Sequence, residues 1–245
     1  APDFQLIPIK TRIRDYKSWV GNPSEKLDRN GHETHAVALL LKIAPLADIY
    51  IARIVDDSDS LVKVESNVAE LTWLQAIKHA ALTWQANIIT MSFGFSRDVP
   101  EIEKVINDVL HERNNKILFF AAALNSGGNA RETYPARYPS DISIQPTIFN
   151  GGFPEYNPHL DDYDQGICFG TLGENVLSVW LCTKQPPDGQ LWQSGASVST
   201  PIATSPATFM LEYVGASSNE TTYKKAWEKL QKMEGMIEIF KLMSS

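Results

Sequence analysis

The feature that most constrains the fold is a series of short, uniformly apolar segments separated by amphipathic ones. Residues 117–123 are apolar at every position and too few to cross a bilayer, so we expect a strand buried on both faces. Residues 98–110 follow a different pattern, because their apolar side chains recur at helical spacing. Apolar strands that alternate with amphipathic helices indicate a parallel sheet covered on both sides. We therefore predict a three-layer α/β fold with a mainly parallel sheet.

The remaining elements follow from the same patterns. Residues 1–30 are polar and rich in turn formers, and we expect irregular surface structure there. In the helix predicted over 67–85, Leu71, Leu74, Ile77 and Ala81 should form the buried stripe. Asn67 with Glu70 and Asp98 with Glu101 resemble capping boxes at two helix starts. In chain order we also predict a helix over 31–44 ending at Pro45 and strands over 48–55, 88–93, 117–123, 141–149 and 176–181.

Composition narrows the classes of function. The 245-residue chain is 43% hydrophobic with a formal net charge of -7, which fits a soluble globular protein and argues against a nucleic-acid partner. Its apolar stretches are too short to span a membrane. Cys168 and Cys182 allow at most one disulfide and lack metal-cluster spacing. They favour an intracellular location without settling it.

The C-terminal part has its own pattern. Residues 215–222 form a polar break, which divides the prediction into a main domain over 1–214 and a helical extension over 215–245. We expect the extension to form two short helices, interrupted at Gly235, that pack on the main domain. A partner-docking role is the alternative. The apolar positions with helical spacing are Ala226, Leu230, Met233, Ile237, Phe240 and Met243.

A serine after a glycine turn is the first candidate for chemistry. Ser197 lies in Ser194–Pro201, just before a long apolar segment. At the first turn of a helix its hydroxyl would face the positive end of the helix dipole, where negative charge on oxygen is stabilised. The alternative is a serine that only caps a buried helix. Further along, Pro206 is expected to interrupt the helix.

Five motifs in order carry a family resemblance. The chain resembles the subtilisin-like serine proteases, peptidase family S8. Its sequence as a whole is most similar to fungal members. The matching segments are Gly31–Ala38 (similar to GHGTHVAG), Ile88–Gly94 (VINMSFG), Ala122–Gly127 (AAxNxG), Tyr134–Ala136 (YPA) and Ser194–Pro201 (SGTSxATP).

The resemblance implies a serine endopeptidase mechanism. Ser197 would attack a peptide carbonyl, and His32 would accept its proton and pass it to the leaving amine. Asn125, with the Ser197 backbone N–H, would bind the oxyanion. An extended peptide or protein substrate would pair with the strand edge at Ser92, Phe93 and Gly94, and Ala123 and Leu124 would complete the substrate site.

The catalytic aspartate is the main departure from the family pattern. Family members carry it on an apolar strand before the histidine motif, and no such strand with an aspartate precedes Gly31. Asp15 and Asp28 lie in polar surroundings and are poor substitutes. Three explanations stay open: the strand lies outside this sequence, a separate cleaved segment or another domain of the same precursor supplies it, or the enzyme is weakened. The strand would also be absent from the sheet.

Three local substitutions also favour a weakened or altered enzyme. Glu33 replaces a glycine beside His32, which adds bulk and charge next to the base. Ala196 replaces a threonine, which removes a hydroxyl near the oxyanion. Leu124 stands where a small residue is usual and is expected to fill the pocket for the side chain before the scissile bond, so that small side chains are preferred there.

Two other classes of function compete. A zinc peptidase would use His32 and His35 as ligands, but the helical zinc motif spaces its histidines at i and i+4, and here the spacing is i and i+3. The stronger alternative is a non-catalytic or regulatory domain that binds peptides. No cofactor is indicated; subtilisin-like enzymes often bind structural calcium, yet no loop here has diagnostic oxygen-ligand spacing.

Overall fold

A computed structural model describes residues 9–22, 28, 30–55, 67–123, 132–157, 167–180, 188–217 and 221–244. Within these residues, helices and strands alternate along most of the chain. The elements are α1 (Ile9–Arg12), β1 (Ile13–Ser18), α2 (His32–Ile43), β2 (Ile49–Arg53), α3 (Asn67–Lys78, followed by a π-helical turn His79–Thr83), β3 (Ile88–Met91), α4 (Pro100–Glu112), β4 (Leu118–Ala122), β5 (Ile142–Thr147), β6 (Ile167–Leu172), β7 (Val176–Val179), β8 (Gln190–Gln193), α5 (Ala196–Ala216), α6 (Thr221–Leu230) and α7 (Met233–Met243).

The central sheet has four strands in the order β3-β4-β5-β6, and every neighbouring pair is parallel. Successive residues of β4 point to opposite faces, and helices cover both. Phe119 packs with α3 and α4, whereas Phe120 packs with α5 and α7. Because each face is buried, all five residues of β4 are apolar and buried. The predicted three-layer α/β fold with a mainly parallel sheet is confirmed.

A second, two-stranded sheet joins β1 and β2 in parallel, from Ile13 opposite Ile49 to Ser18 opposite Arg53. The prediction that residues 1–30 are irregular is therefore wrong for 9–18. The sequence of β1 is polar at most positions, and its strand state depends on pairing with β2, more than 30 residues later. Local patterns do not reveal such an edge strand, because the decisive contacts are distant in sequence.

Among the described strands, the β1–β2 sheet and the central sheet are separate. In the described residues, no ladder joins β2 to β3, although both strands line the same cavity. That cavity, of about 1050 Å³, lies between the two strands and reaches the first turns of α2 and α5.

Helix α3 differs from its predicted stripe. Ile77 and, in the π-helical turn, Ala81 are buried, but Leu71 is 58% exposed and Trp73 takes its place in the core with 1% exposure. Leu74, Ile77 and Ala81 pack on this core as predicted, and Leu71 departs from the predicted stripe. The side chains of residues 67–70, and so the predicted capping box there, lie outside the described residues.

Helix α4 keeps its predicted stripe but not its predicted cap. Ile102, Val105, Ile106 and Val109 are all buried. The residue before the helix is Val99, with Pro100 at the first helical position, so Asp98 is one residue too early to cap it. Asp98 instead accepts a hydrogen bond from the Tyr138 hydroxyl at 3.0 Å.

Helix α5 runs without a break through Pro201 and Pro206, so the prediction that Pro206 interrupts it is wrong. Hydroxyl side chains bond back to carbonyls along this segment: Ser205 Oγ donates to the Pro201 carbonyl at 2.7 Å and Thr208 Oγ1 to the Thr204 carbonyl at 2.9 Å. Buried packing against the sheet holds the helix together where its own backbone bonds are lost.

The C-terminal helices pack on the face of the sheet that α5 covers. Leu230, Met236, Ile237 and Phe240 join the core there. The break between the two helices falls at residues 231–232, and Gly235 lies inside α7, so the predicted interruption is misplaced by a few residues. A Cβ on Gly235 would overlap the Lys229 carbonyl, which explains why a glycine stands there. The division at residue 214 falls in the last turn of α5 and stays a prediction.

Besides β1, two further strands were not predicted. β6 lies beside β5 at the edge of the central sheet, and β8 forms an antiparallel hairpin with β7. Their residues are partly buried or exposed and none is fully buried, so neither has the uniformly apolar pattern that revealed β4. Within the described residues, no helix is both long and apolar enough to cross a membrane.

Candidate active site

His32 is the first residue of α2, and the turn before it is built from Gly31 and Asp28. Gly31 has φ 95°, a left-handed conformation that suits glycine, and a Cβ there would lie 2.5 Å from the Trp180 ring. The Asp28 carboxylate accepts hydrogen bonds from the amides of Gly31 and Thr34 and from the Thr34 hydroxyl, each at 2.7 Å. These contacts fix the point at which the histidine enters the helix.

Ser197 is the second residue of α5, and a glycine precedes this helix as well. Gly195 has φ 128°, and its carbonyl accepts bonds from the amides of Val198 and Ser199 at 3.0 and 3.1 Å. The first amides of a helix have no partner within the helix and carry its positive dipole end. Ser197 therefore lies where the sequence predicts, at the amino end of a long and mostly buried helix.

The two helices pack directly on one another behind these residues. Leu39 of α2 and Val198 of α5 meet Val176 in one buried cluster. Further along, Ser205 Oγ lies 3.5 Å from the Leu40 carbonyl oxygen. His32 and Ser197, in the first turns of these two helices, both line the cavity between β2 and β3.

The segment after β3 completes one wall. Ser92 and Phe93 line the cavity, and the Phe93 ring lies edge-on against Trp73 with ring centroids 3.9 Å apart. Beyond them, Phe95 and Tyr134 exchange backbone hydrogen bonds of 2.7 and 2.9 Å. The structure thus brings four of the predicted site residues to one cavity: His32, Ser92, Phe93 and Ser197.

Other predicted residues lie elsewhere or outside the described chain. Gly94 packs against Thr133, and any Cβ there would overlap the Thr133 side chain. Ala123 forms a small buried cluster with Ala122 and Ala196. Neither residue lines the cavity. Asn125 and Leu124, the predicted oxyanion donor and pocket residue, lie outside the described residues.

Electrostatics leave His32 in its neutral form near pH 7. Burial lowers the pKa of His32, the neighbouring His35 lowers it further, and Asp28 acts in the opposite direction. A neutral imidazole is the form that accepts a proton.

Glu33 is a perturbed acid in the same cavity. Although its side chain is exposed, surrounding protein atoms limit the hydration of the carboxylate, and with the charge of Asp28 this raises the pKa of Glu33 to about 7. The positive charge of Arg53 acts in the opposite direction and lowers the pKa of Glu33. Arg53 is 3% exposed, ends β2 and lines the cavity, and sequence reasoning did not select it. The sequence feature that could have revealed Arg53 is an arginine at the end of an otherwise apolar strand.

His35 points away from the cavity. Its Nε2 lies 3.2 Å from the Val176 carbonyl, its ring meets Trp180 edge-on, and burial lowers its pKa. In the part of the chain that the structure describes, no group of three or more His, Cys, Asp or Glu side chains could hold a metal ion. The zinc alternative therefore gains no support from the placement of its two histidines.

Asp15 and Asp28 both accept hydrogen bonds from other groups of the chain. Asp28 is bonded to the first turn of α2. Asp15 lies on β1 and accepts hydrogen bonds from Trp84 Nε1 and the Tyr16 amide, both at 2.8 Å. Of the two cysteines, Cys168 is a free thiol and Cys182 lies outside the described residues. Burial and the nearby Glu132 raise the pKa of the Cys168 thiol, so it stays protonated.

A serine and a histidine thus lie in the first turns of two packed helices and line one cavity. Comparison with known proteins agrees, because the subtilase family model matches residues 13–233. The chain belongs to the subtilase family of peptidases, and it is a subtilisin-like protease domain.

Relatives with similar sequences agree with this family assignment. The chain is 28% identical over 230 residues to the subtilisin-like protease het-Q2 of the fungus Podospora anserina, covering 87% of the chain and 60% of the relative. It is 25% identical to an intracellular serine protease of Paenibacillus polymyxa, covering 80% and 58%. The chain thus spans about three fifths of these relatives' length. The predicted likeness to fungal members is confirmed by the first of them.

Solved structures share the fold. A mutant form of the PatA protease domain superposes with a TM-score of 0.69 at 21% identity, covering 91% of this chain and 80% of that one. A cold-adapted subtilisin-like serine proteinase gives a TM-score of 0.67 at 20% identity, covering 85% and 71%.

Proposed function

We propose that the chain is a serine endopeptidase domain in which Ser197 is the nucleophile, His32 the general base and Asn125 an oxyanion donor. The observation that carries the proposal is the meeting of His32 and Ser197 in one cavity, each in the first turn of a helix and the two helices packed together. Family membership supplies the reaction class.

The proposed chemistry uses only groups of the protein and water. His32 takes the proton of the Ser197 hydroxyl as its oxygen attacks a peptide carbonyl, and then gives that proton to the leaving amine. Water hydrolyses the resulting ester by the same route. The Ser197 backbone N–H and the Asn125 amide stabilise the oxyanion, and the dipole of α5 adds to that stabilisation. No cofactor takes part in these steps.

The substrate we propose is an extended peptide or protein segment. Ser92–Gly94 continues beyond β3 toward the cavity, and a peptide could pair with its backbone by strand addition. Ala123 and Leu124 would complete that site. We propose that Leu124 restricts the residue before the cleaved bond to a small side chain.

A fluorophosphonate probe with intact-mass detection tests the proposal. We expect one adduct per chain, on Ser197, and its loss in Ser197→Ala. Ser96→Ala is the matched control, because Ser96 is exposed and does not line the cavity. Labelling that persists after chelation with EDTA is expected for cofactor-free chemistry. A folded chain that neither reacts with the probe nor cleaves casein would contradict the proposal.

A second candidate is a domain that binds peptides without cleaving them. The observation that favours it is the position of Asp28, whose carboxylate is bonded to Gly31 and Thr34 and so serves the helix turn and not the base. This function predicts peptide affinity without cleavage, unchanged in Ser197→Ala. Equal affinity accompanied by cleavage in the unsubstituted chain would exclude it.

A further inference from the structure

A buried arginine lines the cavity that holds His32 and Ser197. Arg53 is the last residue of β2 and is 3% exposed, and its backbone carbonyl accepts a 2.9 Å hydrogen bond from the Trp19 amide, which fixes this end of the strand. Among the described residues that line the cavity, it is the one arginine or lysine. A guanidinium stays charged throughout the physiological pH range and costs free energy to bury, so this position favours a nearby anion.

Glu33 is an acid that interacts with this charge. It follows His32 in the first turn of α2, and it lies close enough to Arg53 for the positive charge to lower its pKa. Burial, and then the charge of Asp28, act more strongly in the opposite direction, so that the pKa of Glu33 is raised to about 7. Glu33 is therefore largely protonated at pH 6 and largely ionised at pH 8. Its carboxylate opposes the charge of Arg53 only in the second case.

The other charged groups that line the cavity have fixed places. Asp28 accepts hydrogen bonds from the first turn of α2, so its charge offsets the positive end of that helix. His32 is held neutral near pH 7 by burial. Asp48 precedes β2 at its opposite end, where it pairs with two arginines of α1 and β1 at 2.9 and 2.8 Å. Glu212 lies in the last part of α5, about 22 Å along the helix axis from Ser197. The charge beside the base therefore depends on the arginine of β2 and on the glutamate of α2.

An extended peptide would pass between these groups. In the proposed site it pairs with the backbone of Ser92–Gly94, on the β3 side of the cavity. Successive side chains of an extended chain point to opposite sides. If the residue before the cleaved bond faces Leu124, as proposed, the residue before that one faces across the cavity, toward the first turn of α2 and the end of β2. Arg53 and Glu33 lie on that side.

We propose that Arg53 selects substrates with an aspartate or glutamate at the second residue before the cleaved bond, and that Glu33 competes with the substrate carboxylate for the guanidinium. This selection rests on the proposed function, because it concerns the substrate of the same site. A substrate carboxylate keeps its charge from pH 6 to 8, whereas Glu33 gains its own charge over that range. Acidic substrates are therefore preferred at pH 6, and the preference fades toward pH 8.

The test measures binding separately from cleavage. The Ser197→Ala form of the 245-residue chain is titrated by calorimetry with acetylated hexapeptides of alanine whose third residue is glutamate, glutamine or lysine, so that cleavage after the fourth residue places this side chain second before the bond. Glutamine matches glutamate in size and lacks its charge. The unsubstituted chain is incubated with the same peptides, and the products are identified by mass spectrometry. Each measurement is made at pH 6 and at pH 8.

At pH 6 we expect the glutamate peptide to bind at least about tenfold more tightly than the glutamine peptide, and at pH 8 less than about threefold. The lysine peptide should bind most weakly at pH 6. Glu33→Gln should keep the tenfold difference at both pH values, because the competing carboxylate is gone. Arg53→Met should reduce the difference to less than twofold, and Arg53→Lys should retain at least threefold.

Two features of the design keep the result independent of folding defects. Glu33→Gln changes an exposed side chain, so it tests the interaction even if the buried substitution Arg53→Met prevents folding. Lys104→Met is the matched control, because it removes an exposed cation outside the cavity and should leave the peptide preference unchanged.

The outcomes separate this proposal from the serine-peptidase proposal. Preference for the glutamate peptide at pH 6, with no cleavage of any peptide by the unsubstituted chain, supports the selection by Arg53 and contradicts the peptidase. Cleavage of the glutamate and glutamine peptides after equal binding supports the peptidase and overturns the selection. Failure of the glutamate peptide to bind at pH 6 overturns the selection as well. A preference that keeps its pH dependence in Glu33→Gln arises from protonation of His32 and overturns the competition with Glu33.

Discussion

Asp28 accepts two hydrogen bonds from Thr34, one from its backbone amide and one from its hydroxyl, each 2.7 Å long. A carboxylate in this position stabilises the first turn of α2 by satisfying an amide that lacks a helical partner and by facing the positive dipole end. It therefore holds His32 in place through the helix backbone.

Replacing this carboxylate should loosen the turn. We expect Asp28→Ala to lower the free energy of unfolding by about 1 kcal/mol, the usual magnitude for a lost helix cap, as measured by urea denaturation. Asp188→Ala is the control, because its carboxylate accepts one 3.2 Å bond from the Gln190 amide in an exposed turn. Equal effects of the two substitutions would contradict a special role for Asp28.

Two glycines allow strain and crowding to be separated. Gly31→Ala combines a positive φ of 95° with a Cβ only 2.5 Å from the Trp180 ring, whereas Gly151→Ala has a φ of 84° and open space around it. We expect about 1 kcal/mol of destabilisation at Gly151, from backbone strain alone, and a larger loss at Gly31. Thermal unfolding measures both. A smaller loss at Gly31 would show that the Trp180 ring moves aside freely.

The raised pKa of Glu33 makes stability depend on pH. Its pKa is about 7 in the folded chain, above the ordinary value of 4.5, so folding favours the protonated form. The associated stability is fully present below pH 4.5 and is lost as pH rises through about 7. We expect Glu33→Gln to gain stability relative to the unsubstituted chain between pH 4.5 and 8, measured by denaturant unfolding across that range.

The matched control is Glu112→Gln, near the end of α4, where the side chain is exposed. Its stability difference from the unsubstituted chain should stay flat over the same pH range. If Glu33→Gln gave an equally flat difference, the carboxylate would be well hydrated in solution.

Asp141 provides a second, buried acid. The side chain has no exposed surface, and burial raises its pKa well above the ordinary value of 3.8, with Glu103 acting in the same direction and Ser140 opposing it. The stability linked to its protonated form is present below pH 3.8 and decreases as pH rises. Asp141→Asn, which mimics that form, should therefore gain stability relative to the unsubstituted chain between pH 4 and 8. Thermal unfolding at each pH measures the difference, and a loss that grows with pH would contradict the prediction.

The C-terminal helices should behave as part of the core. Phe240 is 4% exposed, and its ring centroid lies 5.8 Å from that of Phe120 and 5.2 Å from that of Phe169. We expect Phe240→Ala to cost about 3–5 kcal/mol in urea unfolding. Leu242→Ala, at a side chain 71% exposed, should change stability by less than about 0.5 kcal/mol. Separate unfolding of residues 221–244 in Phe240→Ala, with the sheet intact, would show that they form a satellite of the domain.

The elements predicted well from sequence are those whose buried residues form an apolar pattern within a short stretch of the chain. β4 is apolar throughout because both of its faces are covered, and α4 shows one buried stripe. β1 could not be predicted, because its polar sequence becomes a strand only beside β2. Leu71 is the exception in the α3 stripe, because Trp73 fills the core there and helical spacing alone does not show which of these two side chains is buried.

At the site, motifs predicted which side chains meet but not what holds them. His32 and Ser197 line one cavity, as expected from helix starts at Gly31 and Gly195. Arg53 was missed, because its burial depends on the packing of several elements. The function of Asp28 in the turn follows from coordinates alone, since three hydrogen bonds of 2.7 Å cannot be deduced from spacing.

The position of α5 also has a kinetic consequence. Thr204 bonds to Thr90 across 114 residues of chain, and Ser205 to Leu40 across 165. Contacts so distant in sequence give the domain a high contact order, and chains of this kind fold slowly because long loops must close before the contacts form. We therefore expect the serine at the amino end of α5 to reach its place late in folding, after the sheet and α2 have assembled. Its reactivity would therefore report completed folding, and partly folded chains would stay inert toward their neighbours.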